Sequence, residues 1–353
     1  MNARAALLVG LLGLAGAAAG LLLAPRAALI AWLAAILGWS AVPIGCLGLL
    51  MMVLLIPGRW RPLLAPPLAA GAALLPLAAL LFVPVLAGLW QIYPWTDPDV
   101  AVGFPAFKSL WLSPAFFILR AILYFAVLIG LQRALLAARG EARSAVAAAG
   151  VIAYGVIGSL LGVDWAESIQ PAFHSSIYGL LFLTSQWLAG GSFALLLALR
   201  GKEEAPPLLA GVFVTGLLMW GYMQAMQYIV IWSGDIPREA IWYVQRSETS
   251  WVFATWGLVA LQLVLPFLAL LSPAVRTSAA AMRGIALLTL AMQLLEAAWF
   301  VLPPTGLPFF PTALLLLAAW CAIGGLGAAF LLRFGAQAAE RIEAGLNFSE
   351  RSV

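Results

Sequence analysis

Residues 162–179 hold three ionisable side chains, Asp164, Glu167 and His174, between two long apolar segments. His174 is the only histidine of the chain. An imidazole titrates near about pH 6.5, and neighbouring carboxylates can orient it or pass its proton on. The stretch therefore indicates proton transfer, although Asp164 could instead cap a helix and His174 could instead cap the next helix or contact a partner. Pro171 predicts an irregular segment before that next helix.

Two further charges, Arg120 and Glu296, lie inside long apolar segments. A charge at the centre of a membrane helix costs about 2.5–3.5 kcal/mol on insertion scales, so each should face the protein interior with a partner or water. Arg120 is expected near mid-depth. Glu296 shares a helix face with Thr289 and Gln293. One interpretation is a proton relay in which Glu296 titrates, and the other is a hydrogen-bond network that fastens helices together.

The elements that position these residues are long apolar helices. Of the 353 residues 64% are hydrophobic and only 9% are charged, whereas soluble proteins have about 25% charged residues. A helix needs about 20 apolar residues to cross a bilayer, and the apolar runs are continuous rather than alternating. We predict an all-α integral membrane protein of about ten transmembrane helices, at 5–24, 32–56, 66–89, 110–132, 145–163, 175–199, 208–232, 251–272, 282–302 and 311–333.

The first of these segments has a second interpretation. Arg4, a long apolar run and small residues near Ala17 are also typical of a signal peptide. The run is longer than a usual signal core, which favours a retained helix.

The distribution of basic residues predicts the orientation. Most of the 18 Lys and Arg residues lie in one set of ends and loops, and the opposite set holds only Arg26, Lys108, Arg238 and Arg246. By the positive-inside rule both termini are expected in the cytoplasm. The loops at 90–109, 162–174 and 233–250 would then face outward, and they carry the acids Asp97, Asp99, Asp164, Glu167, Asp235, Glu239 and Glu248.

A faint internal repeat suggests how the helices are grouped. The third span ends in IYPWTDPDV and the seventh in IVIWSGDIP, each with an aromatic residue, then Ser or Thr, then Asp and Pro. The repeat predicts two four-helix bundles, 32–163 and 175–302, with two flanking helices. The whole chain, 1–353, would be a single polytopic membrane domain with a cytoplasmic tail at 334–353.

The cysteine and histidine content limits the cofactors. Cys46 and Cys321 lie in separate apolar runs, and the chain has no CxxC or CxxCH motif. Iron–sulfur and c-type haem attachment are thereby excluded, and a single histidine excludes bis-histidine haem. The net charge of +4 follows from the loop bias, and we predict no nucleic-acid partner.

Several motifs carry a resemblance to a known family. DW-x-x-S-x-x-P is followed by S-x-Y-G, and Q-Y-x-x-x-W-S-G is followed by Pro, Glu and W-Y-x-x-R. PGRW at 57–60, YPW at 93–95 and FFILRAILY at 116–124 support them. The chain resembles the NrfD-like subunits of alternative complex III, more the ActF type than ActC. The two main motifs occupy Asp164, Trp165, Ser168, Pro171, Ser176, Tyr178, Gly179, Gln227, Tyr228, Trp232, Ser233, Gly234, Pro237, Glu239, Trp242, Tyr243 and Arg246.

The resemblance implies ten membrane helices in two four-helix bundles, in the inner membrane of a bacterium. It implies a subunit of a quinol:cytochrome c oxidoreductase that binds no cofactor covalently and has quinone or quinol as its ligand. The implied partners are haem c and iron–sulfur subunits, a second NrfD-like subunit and the lipid membrane. Gln170 stands where the family pattern has an acid, and His174 where it has an aromatic residue.

In that setting Asp164, His174, Glu296 and Arg120 are candidates for a proton path from quinol. The quinone or polar-face candidates are Tyr178, Gln224, Gln227 and Tyr228, for which the alternative is polar contact between helices. The mixed charges Asp235, Arg238, Glu239 and Arg246 predict a docking surface for a hydrophilic partner, or else ordinary solvated charge. Two rival functions remain: a quinone-interacting NrfD-type anchor of another periplasmic oxidoreductase, and a secondary transporter.

Overall fold

The computed structural model describes residues 2–350, with side chains described through residue 346. Within this part of the chain the regular elements are helices, with one isolated bridge between Glu204 and Ser278. Ten helices are long and apolar enough to cross a membrane, which confirms the predicted all-α membrane fold. Spans 1 to 10 are Ala3–Leu23, Pro25–Leu55, Arg61–Ala87, Pro114–Ala137, Gly140–Ile169, Tyr178–Ala198, Pro207–Gly234, Val252–Leu271, Ala279–Thr305 and Phe309–Leu346.

Proline determines where several spans begin. Pro25, Pro114 and Pro207 start spans 2, 4 and 7, because proline lacks the N–H that would be unpaired there and has a helical φ already. Span 4 therefore begins later than predicted, and Ala106–Trp111 forms a separate short helix. Arg120 consequently lies only about 9 Å from the start of its helix, rather than at mid-depth.

Four spans are interrupted, among them span 9, in which Ala279–Val301 is followed by the 3₁₀ turn Pro303–Thr305. Span 3 consists of Arg61–Ala72 and Leu75–Ala87. Span 5 continues from Gly140–Trp165 into the short 3₁₀ turn Glu167–Ile169. Span 8 contains the π-helical segment Leu258–Val264, and such wide turns occur frequently at functional sites.

Two segments predicted as loops are partly helical. Asp164 lies in the last turn of a helix rather than in a solvated loop, so the irregular segment is shorter than 162–174. Within 233–250 the structure contains the helix Pro237–Ser247. The final helix, Phe309–Glu350, continues through most of the predicted tail 334–353, of which 351–353 lie outside the described residues.

Span 2 is central and contacts spans 3, 5, 6, 9 and 10. It crosses span 6 closely where Gly45 meets Gly190: a Cβ on Gly45 would lie 1.8 Å from the carbonyl oxygen of Gln186. Neighbouring spans within 2–5 and within 6–9 contact one another, and the crossing joins the two sets. The division into two bundles stays a prediction.

Spans 1 and 10 pack along each other. A Cβ on Gly13 would lie 2.2 Å from the backbone nitrogen of Ala322, so the two backbones touch through small residues, as is common between membrane helices. Span 1 is therefore packed against the rest of the helical body through span 10.

The two ends of the helical body differ in charge. Residues 88–113, 170–177 and 235–251 connect helices at one end, which we call the acid-rich end. Residues 56–60, 138–139, 199–206 and 272–278 connect them at the other, the basic end. The connections at the basic end include Arg59, Arg139, Arg200, Lys202 and Arg276.

Candidate functional site

Arg120 of span 4 and Asp164 of span 5 form a buried ion pair. The guanidinium Nε lies 2.8 Å from Oδ2 of Asp164 and an outer nitrogen lies 3.0 Å from Oδ1. Trp111 Nε1 donates to Oδ1 at 2.9 Å, and the Tyr124 hydroxyl donates to Oδ2 at 2.8 Å. Arg120 is 5% exposed and Asp164 1%. Each carboxylate oxygen thus has two donors, and the pair joins the two spans.

This pairing argues against one of the two interpretations of Asp164, the helix cap. The carboxylate does not cap a helix, because its acceptor positions are taken by side chains of other segments. The guanidinium of Arg120 also lies 4.0 Å from the ring centre of Trp111 and donates to that residue's carbonyl. The geometry of the ion pair therefore supports a structural link between spans 4 and 5 at the acid-rich end.

Glu296 of span 9 has a different environment. Its carboxylate is 1% exposed. Oε1 accepts from Trp220 Nε1 at 2.8 Å and from Gln224 Nε2 at 2.5 Å, which connects span 9 to span 7. Oε2 has no hydrogen-bond partner among the described residues. Unlike Asp164, this acid has no cation beside it and one oxygen open to a further donor.

Other buried polar groups without partners lie on the same helices. The structure confirms that Thr289 and Gln293 share the buried face of Glu296, and both have side-chain atoms that bond to no described group. Gln262, in the π-helical segment of span 8, is fully buried with both amide atoms unpartnered. Each such group costs about 1–3 kcal/mol unless a water or ligand satisfies it.

A hydrogen bond sets the register of spans 8 and 9. Trp299 Nε1 donates to the Thr255 hydroxyl at 2.9 Å. Because the spans are antiparallel, counting from this contact places Gln262 at the height of Met292 on span 9. That height lies between Thr289 and Glu296. Sequence reasoning missed Gln262, although an amide within an apolar run was an available signal.

Hydrogen-bonding groups continue from Glu296 towards the acid-rich end. Gln227 lies one turn beyond Gln224 on span 7, and its Oε1 accepts from the Ser175 hydroxyl at 2.6 Å. The backbone N–H of Ser175 donates to Oε1 of Glu167 at 2.8 Å. No hydrogen bond joins Gln224 to Gln227, and Gln227 Nε2 has no described partner. Polar groups thus lie between Glu296 and the buried Glu167, but they do not form a continuous hydrogen-bonded chain.

In the opposite direction the helices are apolar. The bond from Trp220 to Glu296 places Phe213 of span 7 level with Thr289 of span 9. Closer to the basic end, the buried side chains of these two spans are Leu209, Ala210, Ala279, Met282 and Ala286. Arg283 of span 9 interrupts this apolar part, since its Nε is buried without a described partner. The hydrogen-bonded side chains of spans 7 and 9 lie on the acid-rich side of Thr289.

His174 lies exposed at the acid-rich end, away from Asp164. Its Nε2 is 3.1 Å from Nζ of Lys108, and its Nδ1 is 3.1 Å from the Ala172 carbonyl oxygen. An ammonium group only donates, so Nε2 accepts and Nδ1–H donates to Ala172. Partial burial, and then the charge of Lys108, lower the pKa of His174 below its usual value. Its ring is therefore oriented by Lys108, and not by a carboxylate as the sequence suggested.

The two candidate tyrosines lie in different surroundings. Tyr178 is fully buried against Phe173, Trp242 and Phe300, and its hydroxyl has no partner among the described groups. Tyr228 is 52% exposed and stands edge-on to Tyr243. Tyr228 is therefore not part of the buried face that carries Gln224 and Gln227.

Arg246 differs from the other charges of the predicted docking surface because it is only 1% exposed. It donates to the carbonyls of Trp242, Trp299 and Phe300 and lies 3.6 Å from the ring centre of Trp242. Burial lowers the pKa of its guanidinium. Arg246 thus fastens helix 237–247 to span 9 and offers no surface to a partner. The surface candidates that stay accessible are Asp235 and Arg238, both exposed, and the half-buried Glu239.

Two observations bear on ligands. An apolar cavity of about 370 Å³ opens near the basic end, between Trp60, Leu64, Trp187 and Phe213, with no charged or amide side chain in its lining. Among the described residues no group of three or more His, Cys, Asp or Glu side chains could hold a metal ion.

The chain matches no family model, and no curated protein matches it.

Proposed function

We propose that this protein is a membrane subunit of a quinol-oxidising respiratory complex, an NrfD-like subunit of the ActF type in a bacterial inner membrane. Its acid-rich end faces outward and both termini are cytoplasmic. The observation that carries the proposal is Glu296, a buried carboxyl group with one unpartnered oxygen, from which the polar residues Gln224, Gln227 and Ser175 lead towards Glu167.

The chemistry of quinol oxidation gives these groups a role. Two protons leave with two electrons, so the site needs a proton acceptor close to the quinol. Glu296 takes that proton, and Gln227 and Ser175 lie between it and Glu167 on the outward side. The amides of the half-buried Gln224 and the buried Gln227 are of the right type to hold a quinone carbonyl. Electrons pass to haem c and iron–sulfur subunits, because this chain offers a single histidine and two distant cysteines.

The apolar inner part of spans 7 and 9 supports one-sided proton delivery. The described side chains of these two spans between Thr289 and the basic end include no buried carboxyl group, although Arg283 is half-buried there with an unpartnered Nε. Protons from quinol would therefore be released at the acid-rich end, and the subunit would acidify that side without forming a continuous channel across the membrane.

The test uses the complex purified through a tag on this chain and returned to liposomes. Glu296→Gln should lower quinol-dependent proton release and cytochrome c reduction several-fold, while the subunits still co-purify. Glu296→Asp keeps a carboxyl group and should retain more of the activity. Glu248→Gln removes an exposed acid at the acid-rich end, outside the predicted docking surface, and should leave both rates unchanged. Full activity of Glu296→Gln would contradict the proposed role.

A second candidate, a secondary transporter, is favoured by one feature. The π-helical turn at Leu258–Val264 places the unpartnered amide of Gln262 inside the bundle, and transporters build substrate sites at such irregular turns. A transporter would purify alone and would not oxidise quinol, so the two candidates are separated by co-purification and activity together.

A further inference from the structure

A second cavity, of about 450 Å³, lies at the basic end. It is bounded by the first half of span 3, by the residues that follow span 6, and by the extension of the helix Phe309–Glu350 beyond the apolar part of span 10. Arg200 and Lys202 line it on one side and Glu343 on another. None of the polar groups around Glu296 takes part, so this cavity is separate from the proposed proton site.

The charge in the lining is unbalanced. Arg200, Lys202 and Glu343 are all exposed, and none forms an ion pair with another described residue. Two cations and one anion leave one positive charge. Arg61 starts span 3 beside the cavity, with a buried Nε that bonds to no described group. The exposed acids Glu203 and Glu204 follow Lys202 but do not line the cavity. Arg61 is also a charged neighbour of Arg143, at the same end.

The walls below these charges are apolar. Pro66 and Pro67 of span 3 face Leu331 and Leu332 of the last helix across the cavity. Prolines offer no N–H to a ligand, and the leucines offer only hydrocarbon. A charged mouth above apolar walls, at the end of membrane helices, has the polarity of a phospholipid at the boundary between headgroup and acyl chains.

We propose that this cavity binds one anionic phospholipid from the leaflet at the basic end. Its phosphodiester lies between Arg200 and Lys202, where an arginine can donate two parallel hydrogen bonds to the phosphate oxygens. The upper part of the acyl chains packs against Pro66, Pro67 and Leu331. One negative charge on the headgroup balances the one positive charge of the lining. Inorganic phosphate would gain the ionic contact but nothing from the apolar walls.

The test measures lipid retained by the purified protein. The protein is placed in nanodiscs of mixed phosphatidylglycerol and phosphatidylethanolamine, extracted with mild detergent, and the bound lipid is counted by native mass spectrometry. The wild type should retain phosphatidylglycerol selectively. The double substitution Arg200→Gln with Lys202→Gln should reduce that retention about tenfold or more. The matched double control Arg59→Gln with Arg276→Gln removes two charges at the same end, outside the lining, and should retain the lipid.

Two further variants separate the alternatives. Ala336→Phe fills the cavity from an exposed position of its wall, and should displace the lipid without any change of charge. Glu343→Gln removes the one negative charge and should increase phosphatidylglycerol retention. Decreased retention of phosphatidylethanolamine in that variant would instead show that Glu343 holds an ammonium headgroup, and would overturn the anionic specificity. The site itself would be overturned if Arg59→Gln with Arg276→Gln lost phosphatidylglycerol to the same extent as Arg200→Gln with Lys202→Gln. Displacement of the lipid by millimolar inorganic phosphate would also overturn it.

Discussion

The buried pair of Arg120 and Asp164 allows a quantitative prediction about stability. In Asp164→Asn the side chain keeps its shape, and its amide oxygen can still accept from Trp111 or Tyr124. The charge that balances Arg120 is lost, however, and the guanidinium stays in a site where only 5% of the residue is exposed. We expect the folded state to lose about 3–5 kcal/mol, which is typical when one partner of a buried pair is removed.

A second substitution removes the guanidinium that Asp164→Asn leaves buried and unpaired. Arg120→Met fills much of the same volume with an apolar chain, so the double variant no longer buries an unpaired cation. We therefore expect Arg120→Met with Asp164→Asn to be more stable than Asp164→Asn alone, since apolar replacement of a buried pair is often nearly neutral. A coupling of this sign is specific to a direct interaction between the two residues.

The assay is reversible unfolding in mixed micelles with increasing dodecyl sulfate, followed by tryptophan fluorescence. Asp235→Asn is the matched control, because Asp235 is an exposed acid at the same end. Its φ of 45° suits asparagine as well, so its stability should change by less than about 0.5 kcal/mol. The reasoning would be refuted if Asp164→Asn unfolded like the wild type, or if the double variant were no more stable than the single one.

Three more predictions concern other contacts. The single histidine gives one imidazole signal by NMR, and its pKa should lie below the usual value. Lys108→Met should raise the His174 pKa, though not fully, because burial is the larger cause; an unchanged titration would argue against the contact. Since a lowered folded pKa means that the folded state binds fewer protons, His174 should reduce stability as the pH falls below about 6.5. Gly13→Leu should separate spans 1 and 10 and lower the melting temperature, whereas Gly130→Leu, where a side chain meets no neighbour, should not. Arg246→Gln should cost at least about 1.5–3 kcal/mol in the same unfolding assay, because charge-assisted bonds to buried carbonyls are lost; a surface role would leave stability unchanged.

Hydropathy predicted the ten helices well because each must satisfy its own backbone in a medium without water. The ends of the helices were less predictable. Span 4 was placed too early because Leu110 and Trp111 continue the apolar run, whereas the helix itself begins at Pro114. That shift moved Arg120 from the predicted mid-depth to the level of Asp164.

Much of the candidate site depends on contacts between segments far apart in the sequence, which the sequence alone does not predict. The shared face of Thr289, Gln293 and Glu296 follows from helical periodicity alone, and the structure confirms it. The burial of Arg246 does not follow from its sequence neighbours, which are polar, because its three acceptors include carbonyls of span 9, about 50 residues away. Gln262 was likewise invisible to a periodicity argument, since a π-helical segment does not keep the period of an α-helix.

Purification of the tagged chain in mild detergent tests the central claim most directly, with mass spectrometry of its partners, a haem-stained gel and a quinol oxidation assay. The proposal predicts that haem c and iron–sulfur subunits, and a second membrane subunit of similar type, co-purify with quinol:cytochrome c activity. Co-purification of a molybdopterin subunit would instead indicate an anchor for a different periplasmic oxidoreductase. A chain that purifies alone and does not oxidise quinol would contradict the account.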